Sequence, residues 1–125
     1  MGAKVEYGAG AIERSIVTHA LFICGKARMR SPTAADIAML WDGIKADFAG
    51  LSNDADEHLS VEQIEWATVI FVMERKQRAR LSKLFGTALK GKRIICLNVP
   101  DNYEYMQAEL VALLTPKLMS LLRIG

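Results

Sequence analysis

Apolar positions along this chain follow two rhythms, and their alternation sets out the elements. Ile16 to Ile23 ends in the unbroken run Ala20-Leu-Phe-Ile23, which suits a central strand covered on both faces. Thr68-Val-Ile-Phe-Val-Met73 is β-branched or aromatic almost throughout and predicts a second buried strand. Arg93-Ile-Ile-Cys-Leu-Asn-Val99 predicts the last strand, ended by Pro100, whose ring removes a ladder donor. Ile44 to Phe48 alternates weakly and reads as a short peripheral strand.

Helical periods fill the intervals. Ala34, Ile37, Ala38 and Trp41 fall at i, i+3, i+4 and i+7, one stripe that can pack on a sheet, with Ser31 as N-cap, Pro32 in the first position and Gly43 as the stop. The loop Ala49 to Leu59, with its acidic residues Asp54, Asp56 and Glu57, leads to a short helix over Val61 to Trp66 capped by Ser60. Arg75 to Phe85 is helical in pattern and stops at Gly86. Tyr103 to Leu114 forms another helix, and Thr115-Pro116 reads as the cap and first position of a further short one ending near Arg123.

Strands alternating with helices imply βαβ units. The predicted fold is an α/β three-layer sandwich: a four-stranded parallel sheet of order 2-1-3-4 with helices on both faces. Residues 1 to 15, with Gly2, Gly8 and Gly10 and no stable period, read as a flexible arm with one helical turn at Ala11 to Arg14. Residues 16 to 125 are then one domain.

Composition narrows the classes. The chain has 125 residues, 51% hydrophobic and 24% charged, with a formal net charge of +2, the balance of an ordinary globular domain. So small a charge argues for neither nucleic acid nor membrane as partner. Cys24 and Cys96 have no zinc-like or disulfide spacing, no apolar run approaches a membrane span, and the first residues lack a signal-peptide pattern. A reduced, cytoplasmic protein without a cofactor is expected.

One segment carries chemistry. Cys24-Gly25-Lys26-Ala27-Arg28-Met29-Arg30-Ser31-Pro32 joins the first strand to the first helix, so inward backbone N–H groups and a helix N-terminus can converge on a phosphate. A helix N-terminus and the cations Lys26, Arg28 and Arg30 favour the thiolate of Cys24, and Ser31 can donate to it. The planar fork of Arg30 can hold two phosphate oxygens and follow them into the transition state. The leaving group needs a proton donor. Asp101, directly after a strand end on the same sheet edge, is the candidate acid, with Glu104 as second choice.

Other chemistry-bearing residues have plainer readings. Cys96 reads as core, His19 and His58 as surface or loop residues, and Trp41 and Trp66 as packing on helix faces. The basic run Arg75 to Lys83 reads as a solvated helix face that can attract acidic phosphoproteins.

Cys24-x5-Arg30-Ser31-Pro32-Thr33-Ala34 after an apolar strand resembles the phosphate loop of the low-molecular-weight protein tyrosine phosphatases. More closely, Glu65 to Glu74 and Asn98-Val-Pro-Asp-Asn-Tyr-Glu-Tyr-Met106, followed by Glu109-Leu110, resemble a shorter bacterial branch described as predicted tyrosine phosphatases. The similarity spans roughly Thr18 to Leu114. It implies a cysteine-dependent phosphomonoester hydrolase acting on phosphotyrosine proteins or small phosphomonoesters through a phosphocysteine. Cys24 would be the nucleophile, Arg30 the phosphate binder, Ser31 the thiolate stabiliser and Asp101 the acid, with the backbone of Gly25 to Ser31 around the phosphate and Tyr103 at the pocket mouth. The chain departs from the broader family at Ala27, where an Asn braces the loop, at Met29, where many members have a second cysteine, and at Pro100-Asp101 in place of Asp-Pro. These departures keep open a weakly active or non-catalytic phospholigand-binding module. Arsenate reduction, the remaining alternative, requires a disulfide relay for which Cys96 is the available partner.

Overall fold

The computed structural model describes residues 17 to 123. The arm expected over residues 1 to 15, with its helical turn, lies outside them. The described residues form a four-stranded parallel sheet in the order β2-β1-β3-β4, the topology that the alternation of elements predicts. Strand β1 is Thr18–Cys24, β2 is Ile44–Gly50, β3 is Val69–Val72 and β4 is Arg93–Cys96. The helices are α1 (Arg30–Ala38), α2 (Val61–Trp66), α3 (Arg75–Phe85) and α4 (Ala108–Leu121), with a single 3-10 turn at Gly86–Leu89.

Alternation along the central strands divides the core in two. Ala20, Phe22 and Cys24 of β1, with Val69 and Phe71 of β3, pack against α1 and α4. Leu21 and Ile23, with Ile70 and Val72, pack on the other side against Ile64 of α2 and Leu81 of α3. Both faces of β1 and β3 are therefore apolar, which is why these strands read as unbroken hydrophobic runs.

Several helix boundaries differ from expectation. Helix α1 starts at Arg30, so Ser31 and Pro32 are its second and third residues rather than cap and first position, and Met29 occupies the cap without a side-chain bond. The Met29 carbonyl instead receives the backbone N–H and the hydroxyl of Thr33, at 3.1 and 2.7 Å. The same helix ends at Ala38, before Gly43, because Met39 and Leu40 turn out to solvent. Helix α3 ends at Phe85 with Gly86 as its C-cap, as expected, and a 3-10 turn follows directly.

Strand β4 ends at Cys96, yet its neighbours still pair with β3: Leu97 N–H donates to the Val72 carbonyl and Val99 N–H to that of Met73, both at 2.8 Å. Between them Asn98 has φ 56°, a left-handed geometry that breaks the pleat and that Asn tolerates. The helix expected from Tyr103 begins only at Ala108, and Pro116 lies inside a continuous α4. Leu110, Leu114 and Leu118 form one fully buried stripe across the proline. Burial of about 1.5–3 kcal/mol per leucine offsets an interior proline cost of about 3 kcal/mol. Thr115, read as a cap, donates its hydroxyl to the Val111 carbonyl at 2.7 Å.

The cap at Ser60 is as expected: its hydroxyl accepts the Gln63 N–H, and the Gln63 side chain returns to the Ser60 N–H. His19 lies in β1 rather than in a loop, stacked on Trp66 with centroids 4.6 Å apart. No helix among the described residues is long and apolar enough to cross a membrane.

Candidate active site

The parallel pairing of β1 with β2 runs past the end of both strands and shapes the loop after Cys24. Leu51 N–H donates to the Cys24 carbonyl at 3.1 Å, Ser52 N–H to that of Gly25 at 2.8 Å and Asp56 N–H to that of Lys26 at 2.9 Å. Three successive carbonyls are thus held outward by the loop between β2 and α2. The amides opposite them are free to turn inward, as an anion cradle requires.

Cys24 sits at the base of this cradle, 3% exposed. Its Sγ accepts the Ala27 N–H at 3.1 Å and lies 3.0 Å from the Ser31 hydroxyl. Both are donors suited to a thiolate. Ala27 reaches this position at φ 61°, so the backbone makes the turn without the bracing side chain found in the resembling family. The brace comes instead from the outward hydrogen bonds to residues 51 to 56.

Arg30 is almost wholly buried, and its Nη1 donates to Glu74 Oε1 at 2.8 Å and to the Val99 carbonyl at 2.7 Å. Its Nη2 lies 3.7 Å from Asp101 Oδ1. Among the described residues its side-chain hydrogen bonds run from Nη1, which leaves the Nε and Nη2 edge for a planar, bidentate partner. Glu74 is itself fixed. Gln77 is buried, its Oε1 accepts the N–H groups of Met73 and Glu74 at 3.1 and 2.9 Å, and its Nε2 faces the Glu74 carboxylate at 3.5 Å.

Lys26 and Arg28 do not converge on the cysteine as their proximity in sequence suggests. Lys26 pairs with Asp54 at 3.4 Å, and Arg28 donates to Asp56 at 3.0 Å and to the Asp54 carbonyl at 3.3 Å. The Ser52 hydroxyl and then Lys26 hold the Asp54 carboxyl below its ordinary value, and Asp56 raises that of the Arg28 guanidinium. These cations fasten the cradle to its bracing loop. The charge directed inward belongs to Arg30.

A cavity of about 270 Å³ opens over the cradle, lined by Cys24, Gly25, Arg28, Arg30 and Asp101 among others, with Lys26, Met29, Ser52, Lys76 and Gln77 completing its wall. Cysteine, arginine and aspartate therefore meet in one space, brought there by the end of β1, the start of α1 and the segment after β4. The segment after Asp101 is tied to α1: Met106 N–H donates to the Thr33 hydroxyl at 2.9 Å, and the Tyr105 hydroxyl donates to Asp36. Tyr103, expected at the mouth, instead packs half-buried against the α1/α4 core and is not part of the cavity lining. Glu104 stands outside the lining too, and its N–H donates to Gln107 Oε1 at 2.9 Å.

Glu74 and Gln77 hold Arg30 in this geometry, and Gly50 lies where a Cβ would meet the Gly25 carbonyl oxygen; none of the three has a role assigned from the sequence. Glu74-x-x-Gln77 is a capping-box pattern before an apolar-periodic helix and was readable as such. Gly50 gives no local signal, because its importance lies in a tertiary approach.

Cys96 is remote from this chemistry. Ile23 pairs with Val72 and Val72 with Cys96, so β3 separates the two cysteine-bearing strands. Two strand spacings amount to about 9.6 Å, beyond the roughly 7 Å limit for a disulfide. The two thiols also belong to opposite core faces. A direct Cys24 to Cys96 relay, which the arsenate-reductase alternative needs, does not fit this fold.

No protein-family model and no curated protein matches the sequence. Solved structures do match in shape. The tyrosine phosphatase Wzb from Escherichia coli K30, in complex with phosphate, superposes with a TM-score of 0.70 at 16% identity, over 87% of this chain and 99% of that one. SP-PTP, a low molecular weight protein tyrosine phosphatase from Streptococcus pyogenes, gives 0.70 at 14% identity over 85% and 91%. The YwlE arginine phosphatase from Geobacillus stearothermophilus gives 0.60 at 19% identity over 86% and 89%. An outward-braced loop between a buried strand and a helix, on a 2-1-3-4 parallel sheet, is thus the architecture of this chain, which has the fold shared by these bacterial phosphatases, low-molecular-weight protein tyrosine phosphatase included.

Proposed function

We propose that this chain is a cysteine-dependent phosphomonoester hydrolase that acts on phosphotyrosine through a phosphocysteine. One observation carries the reading: Cys24 Sγ, held by the Ala27 N–H and the Ser31 hydroxyl, shares a single cavity with the Arg30 guanidinium and the Asp101 carboxyl. A nucleophile, an oxyanion fork and a proton donor in one small volume are the parts that phosphate ester hydrolysis requires.

The substrate phosphate sits in the cradle, two of its oxygens on the free edge of Arg30. The Cys24 thiolate attacks phosphorus, an S–P bond forms, and the bond from phosphorus to the ester oxygen breaks. Asp101 gives its proton to the departing phenoxide. Water then enters on the side the phenol has left, Asp101 takes its proton, and the oxygen attacks phosphorus as the S–P bond breaks. Inorganic phosphate leaves and the Cys24 thiolate is restored. Every step is carried by side chains of this chain, and the reduced cytoplasm is the compartment that suits its free thiol.

Hydrolysis of 4-nitrophenyl phosphate, followed by that of phosphotyrosine and phosphoarginine peptides, tests the reading. The wild-type protein should release phosphate from the aryl ester and from the phosphotyrosine peptide, and Cys24→Ser should not. Equal rates from wild type and Cys24→Ser would overturn it. Preference for the phosphoarginine peptide would retain the nucleophile and overturn the substrate class. Phosphate binding without any turnover would leave a phospholigand-binding module.

A further inference from the structure

Hydrolysis as proposed leaves the basic run of α3 without a role, although that helix borders the cavity. A groove of about 540 Å³ lies between α3 and the loop from β2 to α2, and it shares Gly25, Ser52, Lys76 and Gln77 with the phosphate cavity. Arg80 lines it further along α3, facing Asn53 and Asp54. Gln77 and Leu81 point into the protein, so Lys76 and Arg80, each one residue earlier, flank that buried stripe on the groove side. Four residues of helix separate the two cations by about 6 Å along the axis.

The charge balance of the groove is positive. Among the described residues Arg80 has no ion-pair partner. Lys76 is 3.9 Å from Glu74, but that carboxylate is already committed to Arg30. Across the groove, Asp54 is occupied by Lys26.

We propose that this groove is a second anion subsite, filled by a carboxylate side chain next to the phosphorylated residue, so that acidic phosphopeptides are the preferred substrate class. The inference rests on the phosphatase reading and extends it. An extended peptide advances about 3.3 Å per residue. An acidic residue one or two places from the phosphorylated side chain is therefore about 3–7 Å along the chain from it, and the groove begins at the cavity wall, where cavity and groove share Lys76. Exposed charge pairs are individually weak, so each contact contributes a factor of about two to five.

The test compares two phosphotyrosine hexapeptides, one with Glu on both sides of the phosphotyrosine and one with Gln, alongside 4-nitrophenyl phosphate. Wild-type kcat/KM for the Glu peptide should exceed that for the Gln peptide about five-fold at low salt, and the preference should shrink at about 0.5 M salt. Arg80→Gln should lower the ratio to about two, the share of Lys76, and Arg80→Glu should abolish the preference, with 4-nitrophenyl phosphate hydrolysis unchanged in both. Equal wild-type rates for the two peptides, or a preference that survives Arg80→Glu, would overturn the subsite. Should the wild-type protein hydrolyse nothing, the hydrolytic reading fails by itself. The affinities of the same two peptides for the wild-type protein then decide the subsite, a higher affinity for the Glu peptide supporting it and equal affinities overturning it.

Discussion

Gly50, the last residue of β2, lies so close to Gly25 in the loop after Cys24 that a Cβ on Gly50 would stand 2.5 Å from the Gly25 carbonyl oxygen. It would also meet Ala55 Cβ at 2.8 Å and the Ala27 nitrogen at 3.0 Å. Two of these three atoms are backbone of the cradle and cannot swing aside as a flexible side chain would. Gly50→Ala should therefore displace the cradle, lowering stability by about 1–3 kcal/mol, the usual cost of overpacking. Inorganic phosphate should bind the variant at least ten-fold more weakly. Urea unfolding and phosphate titration measure the two effects, and an unchanged phosphate affinity would show that the close approach has no bearing on the site.

Ala27 raises a related question inside the cradle. It takes φ 61° while 2% exposed, a conformation that costs a residue with a Cβ about 1–2 kcal/mol. Branching at Cβ makes this worse, and removing Cβ relieves it. The expected order of stability is Ala27→Gly at or near wild type and Ala27→Val lower by about 2 kcal/mol or more. Phosphate affinity should follow the same order, because the Ala27 N–H that reaches Cys24 depends on this turn. Equal stability of the Gly and Val variants, measured by urea midpoints, would contradict the geometry.

What the sequence made legible follows from where each signal is stored. The buried runs Ala20 to Ile23 and Val69 to Val72 and the period of Arg75 to Phe85 are local patterns, and the elements appear where they predict. Ser60 was recognisable as a cap because its partner Gln63 is three residues away. Ser31-Pro32 and Thr115-Pro116 carry the same local signature, yet tertiary contacts override both. Ser31 is drawn to Cys24, and the Leu110, Leu114 and Leu118 stripe holds α4 continuous through Pro116. That Cys24, Arg30 and Asp101 share one cavity follows from topology, since the segments after β1 and β4 leave a parallel sheet on the same edge. Which cations are left unpaired beside the cysteine does not follow from the sequence, since Lys26 and Arg28, although in the cavity wall, pair with Asp54 and Asp56, more than 20 residues away along the chain.

Glu74 and Gln77 form a chain of support that ends at Arg30. Replacing Gln77 with Ala leaves the Glu74 N–H without its acceptor, while the Met73 N–H keeps the Ile23 carbonyl at 3.1 Å, and it frees the Glu74 carboxylate. An unsatisfied buried donor costs about 1–3 kcal/mol, so Gln77→Ala should lower stability by that order. Arg30 would lose its fixed orientation, and kcat/KM for an aryl phosphate should fall about ten-fold or more, since oxyanion contacts act only when well aimed. Gln77→Glu is the sharper comparison. It retains the acceptor oxygens but sets a second carboxylate against Glu74, so it should stay nearer wild type in stability than Gln77→Ala while still losing activity. Full activity in Gln77→Glu would remove this residue from the support of Arg30.

Asp101 is the member of the constellation whose part in the chemistry can be separated from its part in binding. Its carboxylate is largely exposed and 3.7 Å from Arg30 Nη2, so Asp101→Asn retains the shape of the side chain and removes the proton it would deliver. General acid catalysis contributes about 10²–10⁴-fold where the leaving group is basic and little where it departs unaided. Phenyl phosphate hydrolysis by Asp101→Asn should thus fall by about two orders of magnitude or more, and formation of the phosphocysteine from an activated aryl phosphate by much less. Single-turnover kinetics isolate that first step from the later attack of water, in which the proposed mechanism uses Asp101 again. Equal losses for the two esters in the first step would take Asp101 out of the proton transfer, and the search for the acid would then turn to other residues of the 101 to 107 segment.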